Sequence, residues 1–104
     1  MAMVRRAWRL KVREGQEQEY KRRHQEIWPE LLEVLKTGGA TNYSIFMDGT
    51  DVFLYAEMDT EARQPPEGRA IGERWLKYMS DITVRDVDPA TGRPRWLEEV
   101  FHLD

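Results

Sequence analysis

NYSIFMDGTDVFLYAEM, residues 42–58, alternates in two runs about an Asp48-Gly49 turn. Tyr43, Ile45 and Met47 fall on one side of the first run, with Ser44 and Phe46 on the other. In the second run Val52, Leu54, Ala56 and Met58 oppose Phe53, Tyr55 and Glu57. Period-2 alternation on both sides of a turn predicts a β-hairpin. Both of its faces carry large apolar groups, so whatever covers one face leaves the other to be covered differently.

Before the hairpin, RRAWRLKVR (5–13) sets Trp8, Leu10 and Val12 against Arg9, Lys11 and Arg13, which predicts a first strand. After Gly15 the period becomes helical, with Tyr20, His24, Ile27 and Leu31 on one side of a helix starting near Glu17. Pro29 removes a donor to the Gln25 carbonyl, and Trp28 before it is pushed out of helical geometry, so the helix must kink or restart. That break is expected to aim the following residues away and open room beside His24. PELLEVLKTGG then reads as a second helical piece stopped by Gly38-Gly39.

After the hairpin, residues 60–69 read as a loop and Arg69 to Ile82 as a helix with Ile71, Trp75, Tyr78, Met79 and Ile82 on its apolar side. DVDPATGRP (86–94) reads as a linker and RWLEEVFHL (95–103) as the last strand. The order strand, helix, strand, strand, helix, strand predicts a single α+β domain over 1–104. It is a ferredoxin-like split βαβ: a four-stranded antiparallel sheet with two helices on one face. The other face would meet a second copy, sheet against sheet, in a homodimeric α+β barrel.

Sixteen basic and 19 acidic residues, net charge -3, show no footprint for a nucleic-acid backbone. The basic runs Arg5-Arg6 and Lys21-Arg22-Arg23 read as solvated faces, the latter because Glu17 and Glu19 precede Lys21 and Arg23 by one helical turn. The chain has no cysteine, which excludes disulfides and thiolate chemistry and suits a reducing, cytoplasmic setting. No apolar run is long enough for a membrane span or a signal-peptide core, and the MAM start leads at once into Val4-Arg5-Arg6. HExxH, Walker A and GxGxxG patterns are missing, as is a nucleophile elbow, so metal, nucleotide and covalent chemistry have no motif to rest on.

What remains is the Tyr20, His24, Trp28 region, with Tyr20 one turn before His24, together with Tyr43, Trp75 and Tyr78. A lone histidine on the apolar side of a helix is more often structural than catalytic, and residues such as Trp75 and Tyr78 are more often core. The blocks EYKRRHQEIWPELLEVLK (19–36), GATNYSIFMD (39–48), ERWLKYMSDI (73–82) and LEEVFHLD (97–104), in that order, resemble the L-rhamnose mutarotase family across nearly the whole chain. The resemblance implies a dimeric, cofactor-free isomerase that exchanges the anomers of a deoxy-sugar pyranose. It implies His24 as proton donor, Tyr20 and Tyr43 as sugar contacts and Trp75 as an aromatic wall, with no metal.

The chain departs from the family at Leu76, where a second tryptophan is usual, at EARQPPEGRA (61–70), and at DVDPATGRP in place of an NPDN-type segment. Leu76 is therefore expected to make the site roomier and to redirect sugar selectivity. The chemistry fits the residues: hemiacetal opening needs one proton delivered to the ring oxygen and one removed from the anomeric hydroxyl, and imidazole exchanges protons near neutrality. Two other readings share the fold: a dimeric α+β barrel monooxygenase with His24 as ligand or base, and a small-molecule-binding module without catalysis.

Overall fold

Most of the expected apolar stripes become one side of a sheet or helix. A computed structural model describes residues 2–104, and Met1, the first residue of the MAM start, lies outside them. The elements run β1 (Met3–Val12), α1 (Glu17–Gln25), α2 (Pro29–Thr37), β2 (Ala40–Asp48), β3 (Asp51–Asp59), α3 (Pro66–Met79) and β4 (Thr83–Arg85). The strands order as β2-β3-β1-β4, every pair antiparallel. This is the split βαβ topology, with three helices because Pro29 divides the first helical run into α1 and α2.

The hairpin has the expected facing. Val52, Leu54 and Ala56 are buried, while Phe46 and Phe53 stand directly opposite one another on the open side at 64% and 44% exposure. The core joins Val12, Val52 and Leu54 of the sheet to Tyr20 of α1, Met79 of α3 and Ile82, with Trp8, Leu10, Tyr43, Ile45 and Trp75 packed around it. Each such aliphatic side chain contributes roughly 1.5–3 kcal/mol on burial.

Trp28 adopts extended geometry (ψ 127°) and Pro29 opens α2. Instead of turning away, the Trp28 ring comes back against Trp75 at 5.1 Å and Tyr78 at 5.5 Å. The proline break therefore supplies a brace behind Trp75.

Three sequence expectations need correction. First, α3 runs from Pro66 to Met79, not from Arg69 to Ile82; it starts early because Pro66 sits where a helix has no use for the missing N–H.

Second, the fourth strand is Thr83–Arg85, paired with Leu10–Val12, and residues 95–103 form none. The later segment follows β1 through a single backbone bond, Leu97 N–H to Ala7 carbonyl (2.7 Å), with Trp96 edge-on to Trp8. The supposed linker is a turned loop closed by Asp88 N–H to Arg93 carbonyl and Arg95 N–H to Asp86 carbonyl. Three residues are too few to show alternation, so β4 was invisible in the sequence.

Third, Arg23 is not solvated. It is 9% exposed, and its guanidinium reaches both carboxylate oxygens of Asp81 (2.9 and 3.2 Å), Glu19 (2.8 Å) and the Tyr78 carbonyl (2.8 Å), and lies over the Tyr78 ring. Arg22 and Arg23 together hold the Glu19 carboxyl down at about 2. Arg23 thus ties α1 to the end of α3. Losing charge-assisted hydrogen bonds and the ring contact makes Arg23→Met less stable by about 1–3 kcal/mol, read as a lower denaturation midpoint. A midpoint equal to the parent's would mean that this tie contributes nothing.

Candidate active site

Six elements, β3 through Leu54 among them, meet at one cavity of about 200 Å³ between the sheet and helices. That is below the ~300–1,000 Å³ of pockets for drug-sized ligands and suits one small polar molecule. β1 supplies Trp8 and Leu10, α1 Tyr20 and His24, β2 Tyr43 and α3 Trp75 and Leu76, and β4 closes the mouth with Thr83 and Arg85. Tyr20, His24, Tyr43, Trp75 and Leu76 share one cavity, while Tyr78 and Trp28, also singled out in the sequence, do not line it.

His24 is held from two sides. Its ring lies 4.4 Å from Tyr20 and meets the Trp75 edge at 5.5 Å. Its Nδ1 is 2.9 Å from the Tyr20 backbone carbonyl. A carbonyl only accepts, so Nδ1 carries the hydrogen and donates it, and Nε2 is left to exchange protons. Burial pushes the imidazole pKa below its ordinary 6.5, with the bond to Tyr20 opposing in part. At neutral pH the ring is therefore uncharged, with a lone pair on Nε2.

Burial also raises the pKa of both tyrosines, Tyr43 to about 12 and Tyr20 further, with Tyr43 adding to the effect on Tyr20. Both remain protonated across the physiological range. Among the described residues neither phenol has a protein hydrogen-bond partner, so two hydroxyls and one imidazole nitrogen are available to a polar occupant of the cavity.

This donor and acceptor set beside an indole wall is chemistry for a carbohydrate, and comparison with known proteins agrees. A family model described as L-rhamnose mutarotase matches residues 5–103. The chain belongs to the L-rhamnose mutarotase family.

A member from Opitutus terrae is 42% identical over 98% of this chain and 100% of its own. One from Escherichia coli O1:K1 is 38% identical over 97% and 99%. A crystal structure of an L-rhamnose mutarotase from Formosa agariphila superposes with a TM-score of 0.73 at 34% identity, covering 97% of this chain and 99% of that one. Leu76, where the family resemblance led us to expect a tryptophan, is among the residues lining this cavity.

Sequence reasoning passed over Thr83, Arg85 and Asp86 at the mouth, since nothing in their local pattern distinguishes them from a loop. Trp28, singled out in the sequence beside Tyr20 and His24, does not line the cavity and instead packs against Trp75, a support the sequence did not reveal.

Proposed function

We propose that the chain interconverts the α and β anomers of L-rhamnose or a closely related pyranose, with His24 as the single proton carrier. The observation that carries this reading is the His24 tautomer: Nδ1–H bound to the Tyr20 carbonyl and Nε2 free in a cavity with two unpartnered phenols. Neutral Nε2 takes the proton of the anomeric hydroxyl, the C1–O1 bond becomes a carbonyl, and the C1–O5 bond breaks as the imidazolium returns that proton to O5. Rotation about C1–C2 presents the other face of the carbonyl. The reverse steps then close the ring, Nε2 taking the O5 proton and giving it to O1.

Both oxygens are bonded to C1, so one nitrogen can serve them in turn. The donor role implied by family resemblance is then the second half of each cycle. Tyr20 and Tyr43 donate to sugar oxygens and Trp75 stacks on the C–H face.

Saturation-transfer NMR between anomers of L-rhamnose at equilibrium tests the function directly. Exchange no faster than in buffer would sink the isomerase reading, and sugar binding without exchange would favour a binding module. Leu76 opens the wall that tryptophan would complete, so Leu76→Trp is expected to lower KM for L-rhamnose several-fold relative to a hexose carrying a 6-hydroxyl. An unchanged ratio of kcat/KM between the two sugars would remove position 76 from selectivity.

The reading includes one domain, a homodimer and a cytoplasmic setting; among the described residues no helix is long and apolar enough to cross a membrane. Support for the homodimer is the apolar open face of the sheet together with Val100, Phe101 and Leu103, which are 78–85% exposed. Contiguous apolar surface of this kind needs a partner. Light scattering should give twice the 12.4 kDa chain mass, falling toward one chain in Phe53→Glu. A one-chain mass for the parent would contradict it.

A further inference from the structure

The mouth of the cavity carries charge that the proposed chemistry has not used. Arg85 stands opposite Leu10 in the β1–β4 pairing, as buried Thr83 stands opposite buried Val12. Residues directly opposite in an antiparallel pair project to the same face. The Arg85 side chain therefore leaves the sheet on the helix side, where Leu10 packs toward the core and the cavity opens.

Asp86, next in the chain, also lines the cavity, but its carboxylate is taken up elsewhere. Its two oxygens take Arg9 Nε at 3.2 Å and Arg95 Nε at 3.3 Å, a tie between β1 and the loop. Arg85 has no such tie: among the described residues its guanidinium makes no ion pair and no side-chain hydrogen bond. The cavity wall thus combines an unpaired cation having five N–H donors with the free Tyr20 and Tyr43 hydroxyls and His24.

We infer that Arg85 is a sugar-binding residue of this chain, donating in a fork to two neighbouring hydroxyl oxygens of the pyranose and fixing which edge of the ring faces His24. The inference rests on the anomer-exchange reading of the same cavity. A planar guanidinium matches a pair of vicinal oxygens as it matches a carboxylate, and the contact engages hydroxyls remote from the bonds that change. Such a contact holds ground state and transition state alike, so its loss is expressed in KM.

The experiment compares the parent, Arg85→Met and Arg85→Lys on L-rhamnose and on its 2-, 3- and 4-deoxy analogues by anomeric exchange. Arg85→Met is expected to raise KM for L-rhamnose about tenfold or more with kcat within a few-fold, and Arg85→Lys to recover part of the loss. On the analogue lacking a hydroxyl that Arg85 holds, the parent and Arg85→Met should converge. An unchanged KM in Arg85→Met, or a loss confined to kcat with a lowered unfolding midpoint, overturns the assignment. The parent's own exchange on L-rhamnose keeps the two readings apart: if it is absent the functional reading fails, and if it is present with an indifferent Arg85→Met only Arg85 fails.

Discussion

His24→Gln is expected to lose about 10²–10⁴ of the catalysed anomer exchange while keeping its fold, because in the proposed mechanism the His24 imidazole lining the cavity takes and returns the proton. Glutamine is a good helix former and can keep a donor near the Tyr20 carbonyl, so the helix has no reason to melt. The measurement is the saturation-transfer exchange rate on L-rhamnose, corrected for the spontaneous rate in the same buffer, beside a thermal melt. The loss should lie in kcat, since the proton transfers belong to the transition state. Rates within a few-fold of the parent would remove His24 from the mechanism, however well its neighbours fit.

The pH dependence separates acceptance from donation as the first step. Nε2 works as a base only while the imidazole is neutral, so activity is present above the His24 pKa and falls about tenfold for each pH unit below it. Burial puts that pKa under 6.5, so the acid limb should lie lower than for free imidazole. The other titratable or charged groups around the cavity are Tyr20 on α1, Tyr43 on β2, Arg9 on β1, and Arg85 with Asp86 at the end of β4, while Lys21 lines the adjoining recess. Tyr43 loses its proton only near 12, so no alkaline limb is expected in the neutral range.

The opposite profile, activity lost as pH rises through the His24 pKa, would mean that the protonated ring starts the reaction and that Nε2 donates first. A profile flat from pH 4 to 9 would take the essential proton away from His24 and leave it to a group that does not titrate there, such as the Tyr20 or Tyr43 phenol.

Much of this molecule was present in local pattern. Alternation over 42–58 determined the hairpin and its two faces, since a strand's side chains switch sides at every residue whatever surrounds them. Pro29 determined the break between α1 and α2 for an equally local reason, its missing N–H and its ring. The helical spacing from Tyr20 to His24 determined that these two share a side, and the order of motifs determined the family.

Tertiary structure decided whatever depends on partners distant in the chain. Arg23 is buried because Asp81, 58 residues later, meets it, and a charge run does not reveal such a partner. The edge of β1 opposite β3 pairs with Thr83–Arg85, so 95–103 was left as an arm despite its strand-like composition. Trp75 became a wall of the cavity only because the fold brings its ring against His24 of α1 and Trp28 folds back onto it. The direction of Arg85 follows from its register opposite Leu10, and register is a relation between two strands that neither carries alone.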